Sequence, residues 1–160
     1  MKLPASFAAL LSLTLAAQAV VVHPAPDFTF PAAGSSARGL KSLRGQAVVL
    51  VIADSPKNGD FRKELKWLRE TYTTFAGKQV VFIAAFKQGE GPVQSDIPFV
   101  VANNGASVAS AYGVTGKFGL VVIGVDGNID YQTEKVRTGE RVHDVIRNAF
   151  PVQAAARKGQ

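Results

Sequence analysis

The stretch "VIADSPKNGDFRKEL", residues 51–65, leads from an apolar strand through a short polar loop into a charged helix. Its first residues end a longer run, "QAVVLVIA" (46–53), in which apolar residues are continuous rather than alternating. Such a run is typical of a central strand that is buried on both faces and covered by helices. The next segment repeats apolar residues at helical spacing, which predicts an amphipathic helix. This apolar stripe is Phe61, Leu65, Leu68, Tyr72 and Phe75.

The ends and the outer faces of this helix can also be predicted. Asp60 is the expected N-cap, and Gly77 is expected to end the helix. Trp67 lies beside the apolar stripe and is expected to be partly buried. The charged residues on the other faces are expected to be solvated: Arg62, Lys63, Glu64, Lys66, Arg69 and Glu70.

The rest of the chain supplies further strands and helices around this unit. The run "QVVFIAAF" (79–86) predicts a second buried strand, which makes a right-handed βαβ unit with the first. In "LVVIGVDGNIDYQ" (120–132), Asp126-Gly127 predicts a hairpin. A last helix is expected from Thr138, with an apolar face of Val142, Val145, Ile146 and Phe150. We therefore predict an α/β sandwich whose mixed sheet has a parallel βαβ half and an antiparallel hairpin half, flanked by helices.

The amino terminus has the pattern of a leader. Lys2 precedes an apolar run at 7–15, and Ala17-Gln18-Ala19 matches an A-x-A cleavage site. We expect a signal peptide at 1–19, one domain at 20–150 and a disordered polar tail at 151–160. The product would be exported to the periplasm or the extracellular space. No apolar segment is long enough to predict a membrane span.

The composition excludes several classes of chemistry. The chain has no cysteine, which rules out disulfide exchange, thiol peroxidase activity, thiolate metal sites and iron–sulfur clusters. Its two histidines, His23 and His143, have no ligand-type residue at metal-binding spacing and are expected to be ordinary surface residues. The sequence therefore predicts no metal, no cofactor and no recognised catalytic group.

Two longer segments carry a family resemblance. "APDFTFPAAGSSARGLKSLRGQAVVLVI" (25–52) and "ASVASAYGVTGKFGLVVIGVDGNI" (106–129) resemble the two signatures of the redoxin branch of the thioredoxin-like superfamily. That branch includes alkyl hydroperoxide reductase, thiol-specific antioxidant and TlpA-like proteins. The segment "KFGLVVIGVDG" (117–127) is also similar to uncharacterised thioredoxin-like domains. The similarity spans roughly residues 26–150 and implies a thioredoxin-like fold.

The sequence departs from this family at the redox site. Thioredoxin-type members carry C-x-x-C at the start of the first helix, where backbone amides and the helix dipole lower the thiol pKa. The matching positions fall within residues 57–61, and Asn58 and Phe61 have the C-x-x-C spacing. The peroxiredoxin cysteine motif is absent as well. Phe118 stands where the family has its cis-proline, so the Lys117–Phe118 bond is expected to be trans.

These departures predict a retained fold without thiol chemistry. We expect a binding or accessory module that takes a protein or a small ligand at the former redox loop. The residues expected to form the contact surface are Asp54, Lys57, Asn58, Asp60, Lys117 and Phe118.

Two alternatives stay open. One is an enzyme that uses Asp54, Lys57 or Asp60 as acid–base groups. The other is electrostatic attachment of the chain, with its net charge of +6, to an anionic envelope. The basic residues are dispersed, and this predicts no specific nucleic-acid binding.

Overall fold

A computed structural model of the protein describes residues 23–34, 36–77, 79–89 and 91–158, with side chains given as far as residue 148. The predicted signal peptide, 1–19, lies outside the described residues. Within them, no helix combines the length and the apolar character needed to cross a membrane. A short 3-10 helix covers Leu40–Leu43. The strands are β1 Thr29–Phe30, β2 Arg38–Gly39, β3 Ala47–Ala53, β4 Val80–Phe86, β5 Phe99–Val101, β6 Phe118–Ile123 and β7 Ile129–Thr133. The helices are α1 Gly59–Glu70, α2 Tyr72–Phe75, α3 Gly105–Ala111 and α4 Gly139–Lys158.

The five longer strands form one mixed sheet in the order β5-β4-β3-β6-β7. Strand β3 pairs in parallel with β4, which pairs in parallel with β5. Strand β6 runs antiparallel to β3, and β7 antiparallel to β6. The predicted parallel half and antiparallel hairpin half are both confirmed. β1 and β2 form a separate two-stranded ribbon.

Strand β3 lies at the centre because both of its faces are apolar. Leu50 and Ile52 point into a core shared with α3 and the β1–β2 ribbon, whereas Val49 and Val51 point into a core shared with α1, α2 and α4. All seven residues of β3 are buried. Successive side chains of a strand face opposite sides, so an uninterrupted apolar run fits a strand between two helical layers.

The predicted helix over residues 61–75 is interrupted at Thr71. The hydroxyl of Thr71 donates a hydrogen bond to the carbonyl of Trp67 at 3.0 Å, and α2 starts at the next residue. The backbone of Gly139, where α4 begins, packs against this break; a Cβ at Gly139 would lie 2.6 Å from the Trp67 carbonyl oxygen. The apolar stripe is confirmed nonetheless, since Phe61, Leu68 and Phe75 are buried.

The prediction that all charged residues of α1 are solvated is wrong for Glu64, because the exposed fraction of this residue is 0%. The backbone N–H of Arg137 donates to Glu64 Oε2 at 2.7 Å. The connection between β7 and α4 therefore covers this side of α1. Glu64 Oε1 has no hydrogen-bond partner among the described residues.

The last helix begins near the predicted position, and its buried face includes Val142 and Ile146. His143 on this helix is half-buried, with its ring centroid 5.6 Å from that of Phe75, so it is not the simple surface residue that the sequence predicted. His23 is exposed, as expected. Helix α4 reaches Lys158 and so runs into the segment for which a disordered tail was predicted.

Candidate functional site

Two loops meet at the carboxyl end of β3. One follows β3 and leads into α1, and the other precedes β6, whose first residue, Phe118, is paired with Ala53. The backbone N–H of Asp54 donates to the carbonyl of Lys117 at 3.2 Å. In the other direction, the carbonyl of Asp54 accepts from Gln88 N at 2.7 Å. Asp54 thus joins the segments that follow β3 and β4 to the segment that enters β6.

The carboxylate of Asp54 is paired with Lys87. The Asp54 Oδ1 to Lys87 Nζ distance is 3.0 Å, and the two side chains are 27% and 21% exposed. Lys87 Nζ also donates to the carbonyl oxygen of Gly116 at 2.6 Å. The sequence prediction missed Lys87. The available signal was its place directly after the second buried run, since the ends of parallel neighbours lie at the same edge of a sheet.

Asn58, not Asp60, caps helix α1. Asn58 Oδ1 accepts from the N–H of Phe61 at 3.0 Å, and Asn58 Nδ2 donates to the carbonyl of Lys117 at 3.2 Å. An amide can accept and donate at once, whereas an ionised carboxylate only accepts, so position 58 suits Asn in a way that Asp cannot match. Asp60 lies exposed in the first turn of the helix, where a negative charge is favoured by the helix dipole.

The other predicted residues lie around this cluster in different environments. The side chains of Lys57 and Lys117 are exposed beside it. Phe118 is 2% exposed and packs in the core beneath, so its ring is not available for direct contact with a partner. The described residues contain no cis peptide bond, which confirms the expected trans Lys117–Phe118 bond.

Glu134 fixes the loop before β6 from the opposite side. Glu134 Oε1 accepts from the backbone N–H groups of Thr115 and Gly116, at 3.1 and 3.5 Å. Two further hydrogen bonds hold this loop. The ammonium of Lys87 donates to the carbonyl of Gly116, and the side-chain amide of Asn58 donates to the carbonyl of Lys117. Nothing in the local sequence around Glu134 indicates this contact, because it depends on how β7 pairs with β6.

Phe61 occupies the second position of the C-x-x-C spacing and belongs to the core. Its ring centroid lies 5.1 Å from that of Phe86 and 6.3 Å from that of Phe99, both in edge-to-face geometry. Asn58 caps the helix with a carboxamide, and Phe61 fills the core with a phenyl ring. Neither side chain carries a thiol or another group that can exchange electrons. What the loops do offer is a rigid hydrogen-bonded platform rimmed by the charges of Lys57, Asp60 and Lys117.

A cleft of about 620 Å³ lies at the carboxyl ends of β4 and β5, and Lys87 forms part of its lining. Its lining includes Phe86, Gly91, Val101 and Asn103. Across the described ranges, no group of His, Cys, Asp and Glu side chains is placed to hold a metal ion.

Comparisons with known proteins identify the fold. No family model and no curated protein matches the chain. Among solved structures, a candidate thiol:disulfide interchange protein DsbE from Chlorobium tepidum has a TM-score of 0.66 at 21% identity, over 80% of this chain and 96% of that one. The mitochondrial 2-Cys peroxiredoxin of Plasmodium falciparum gives 0.64 at 18% identity, over 86% and 98%. Peroxidoxin BcpB of Mycobacterium tuberculosis gives 0.59 at 17%, over 79% and 96%. The chain therefore has a thioredoxin-like fold, as the sequence resemblance implied.

Proposed function

We propose that the protein is an exported, cysteine-less thioredoxin-fold module that has no thiol redox or peroxidase activity and binds a partner at the former redox loop. One observation carries this proposal. The two positions with C-x-x-C spacing hold Asn58, which joins α1 to the loop before β6, and Phe61, which fills the core. The leader pattern at residues 1–19 supports export.

The surface proposed for binding is the loop 54–60 together with Lys117. Its backbone is held by several hydrogen bonds, so little conformational entropy would be lost when a partner binds. Lys57, Asp60 and Lys117 are exposed at its rim and free to contact a protein or a small ligand. Phe118 supports this surface from below.

The arrangement favours binding over acid–base catalysis. A general base must reach the proton that it removes. The carboxylate of Asp54 is already paired with Lys87 at 3.0 Å, and Lys57 and Asp60 are exposed to solvent. These environments do not single out any of the three as a catalytic group.

Two activity assays test the redox half of the proposal. The purified protein is incubated with insulin and dithiothreitol, and separately with hydrogen peroxide and a thiol reductant. We expect rates equal to those of the protein-free controls. A rate above the control that scales with protein concentration would overturn the proposal.

A capture experiment tests the binding half. The wild-type protein, K57A/K117A and the control K41A/R147A are used as baits for an envelope fraction. Both double variants remove two exposed cations, but Lys41 and Arg147 belong neither to the loop nor to Lys117. We expect K57A/K117A alone to lose partners that the wild type retains. Equal recovery by all three baits would show that the proposed site is wrong.

A further inference from the structure

A second surface lies on the flank of α1. A groove of about 280 Å³ runs between this helix and the segment that leads to β5. Its helical wall carries Arg62, Lys66 and Arg69, with Leu65 between them, and its other wall carries Gln94 and Ser95. The three cations share one face of α1 because they stand four and three residues apart. One wall of the groove therefore carries a row of positive charges around an apolar side chain, and the other wall carries side chains that can form hydrogen bonds.

The charges in this groove are only loosely compensated within the chain. Lys66 Nζ lies 3.9 Å from Glu70 Oε1, and Arg69 lies 4.0 Å from Asp96, whose side chain is 87% exposed. Ion pairs this long and this exposed contribute little stability. Arg62 makes no ion pair within the described part of the chain. All three cations can therefore turn to an anionic ligand without breaking a strong contact.

The spacing of the cations fits an extended peptide. At a rise of 1.5 Å per residue, Arg62 and Arg69 are about 10 Å apart along the helix, and Arg62 and Lys66 about 6 Å. In an extended chain, side chains two residues apart on one face are about 7 Å apart. Because Leu65 and the cations share the helical wall, the side chains that meet them must come from one face of the peptide, with acidic residues at positions i and i+4 and an apolar residue at i+2.

The rest of the lining favours a peptide over a purely anionic polymer. Leu65 is half-buried and lines the groove, so an apolar side chain can cover it. Gln94 is exposed and can both donate to and accept from a peptide backbone. Ser95 Oγ accepts from Ile97 N at 3.0 Å and still has its own hydrogen to donate. A polyphosphate would use the cations but would leave Leu65 uncovered.

We infer that this groove binds an extended acidic segment of a partner protein, with acidic side chains on Arg62, Lys66 and Arg69 and an apolar side chain over Leu65. The inference goes beyond the proposed function, because the groove shares no residue with the loop 54–60 and Lys117. Either site can fail its test without affecting the other.

The test measures, by fluorescence anisotropy, binding of the fluorescein-labelled hexapeptide Glu-Ser-Leu-Ser-Glu-Ser, whose acidic and apolar side chains share one face when it is extended. The proteins compared are the wild type, R62A/R69A and the control R38A/R147A, in which two exposed arginines elsewhere are lost. We expect saturable binding that is weakened about tenfold in R62A/R69A, changes less than twofold in the control and weakens between about 0.02 M and 0.15 M salt. Absence of saturable binding by the wild type, or equal weakening in both double variants, would overturn the inference.

A second variant distinguishes a groove that recognises a peptide from a groove that binds any anion through its charge. L65A is expected to weaken hexapeptide binding and to leave binding of inorganic tripolyphosphate unchanged. Far-UV circular dichroism and the thermal unfolding midpoint are measured on each variant, so that a loss of binding is assigned only to folded protein. If folded L65A binds the hexapeptide like the wild type, or if the wild type binds tripolyphosphate more tightly than the hexapeptide, the groove recognises charge alone and the inference is wrong.

Discussion

The side-chain amide of Asn58 donates a hydrogen bond to the backbone carbonyl of Lys117, 59 positions away in sequence, at 3.2 Å. The carbonyl oxygen of the same side chain accepts from Phe61 N at 3.0 Å. One residue therefore caps helix α1 and joins it to the loop before β6. This double role explains how the two loops keep a fixed geometry in a chain that has neither the cysteines nor the cis-proline of the family that it resembles.

The first prediction concerns the two hydrogen bonds of Asn58. N58A removes both, and we expect it to lower the free energy of unfolding by about 2 kcal/mol. N58D keeps an acceptor for Phe61 N but cannot donate to the Lys117 carbonyl, so we expect a loss of about 1 kcal/mol. Urea denaturation of the three proteins measures the difference. If N58A is no less stable than N58D, the capping bond contributes nothing and our account of this residue is wrong.

The second prediction concerns the buried carboxyl of Glu64. Burial raises its pKa from 4.5 to about 7, although the N–H and the guanidinium of Arg137 act in the opposite direction. The guanidinium of Arg137 is itself held by the hydroxyl of Tyr131, at 2.8 Å from its Nε, and Arg141 lies over the Tyr131 ring. The N–H and the guanidinium of Arg137 thus compensate only part of the desolvation of Glu64.

The sign of the pH effect follows from this shift. An acid whose pKa is higher in the folded state destabilises the fold when it is ionised, so stability should fall as the pH rises from about 4.5 to about 7 and then stay level. E64Q imitates the protonated form and should be more stable than the wild type at pH 8.5 by up to about 3 kcal/mol. The two proteins should have similar stability near pH 4.5. Urea denaturation across this range is the measurement, and parallel profiles would contradict the prediction.

The parts of the fold that were predicted correctly are those in which the buried residues follow a regular pattern along the sequence. The apolar run of β3 and the helical stripe from Phe61 to Phe75 directly encode which faces are covered. Burial of Glu64 was not predicted, because it depends on the connection before α4, which lies far along the chain. The Asp54–Lys87 pair was missed for the same reason, since two strands must first be aligned.

The cap of α1 shows a finer limit of sequence-based prediction. Asn58 and Asp60 are both residue types that cap helices, and local preference does not separate them. The contact between Asn58 and the Lys117 carbonyl makes the difference, and it exists only once β3 and β6 are paired. The resemblance thus predicts a location for the site, which stays a prediction, whereas the hydrogen bonds at that location could not be predicted from the sequence.

The third prediction concerns Tyr112, which anchors the amino-terminal arm. Its hydroxyl donates to the carbonyl of Pro26 at 2.8 Å, and burial raises the pKa of Tyr112 above its usual range, so the hydroxyl stays protonated. Y112F leaves the Pro26 carbonyl without this donor, and we expect a loss of about 1–2 kcal/mol in the free energy of unfolding. Y72F is a matched control, because Tyr72 packs its ring on Phe82. Equal losses in the two variants would argue against a specific role for the Tyr112 hydroxyl.

The last prediction tests whether the start of α1 can still stabilise an anion. The chain has no cysteine, so each single variant reports on one thiol. N58C places a thiol where the backbone amides and the dipole of α1 favour the thiolate, whereas S110C places one at the exposed carboxyl end of α3. We expect the thiol pKa of N58C to lie at least about one unit below that of S110C, as measured from the pH dependence of iodoacetamide alkylation.

Equal values for the two thiols would show that the helix terminus no longer favours a thiolate. A lowered pKa in N58C alone would still not restore dithiol chemistry, because the second position, Phe61, is 2% exposed and packed against Phe86 and Phe99. F61C would replace a buried aromatic ring with a much smaller thiol, and we expect it to lower the free energy of unfolding by about 3 kcal/mol. N58C/F61C should therefore be much less stable than N58C when both are reduced. The packing of Phe61 would thus oppose dithiol chemistry even if a thiol stood at position 58.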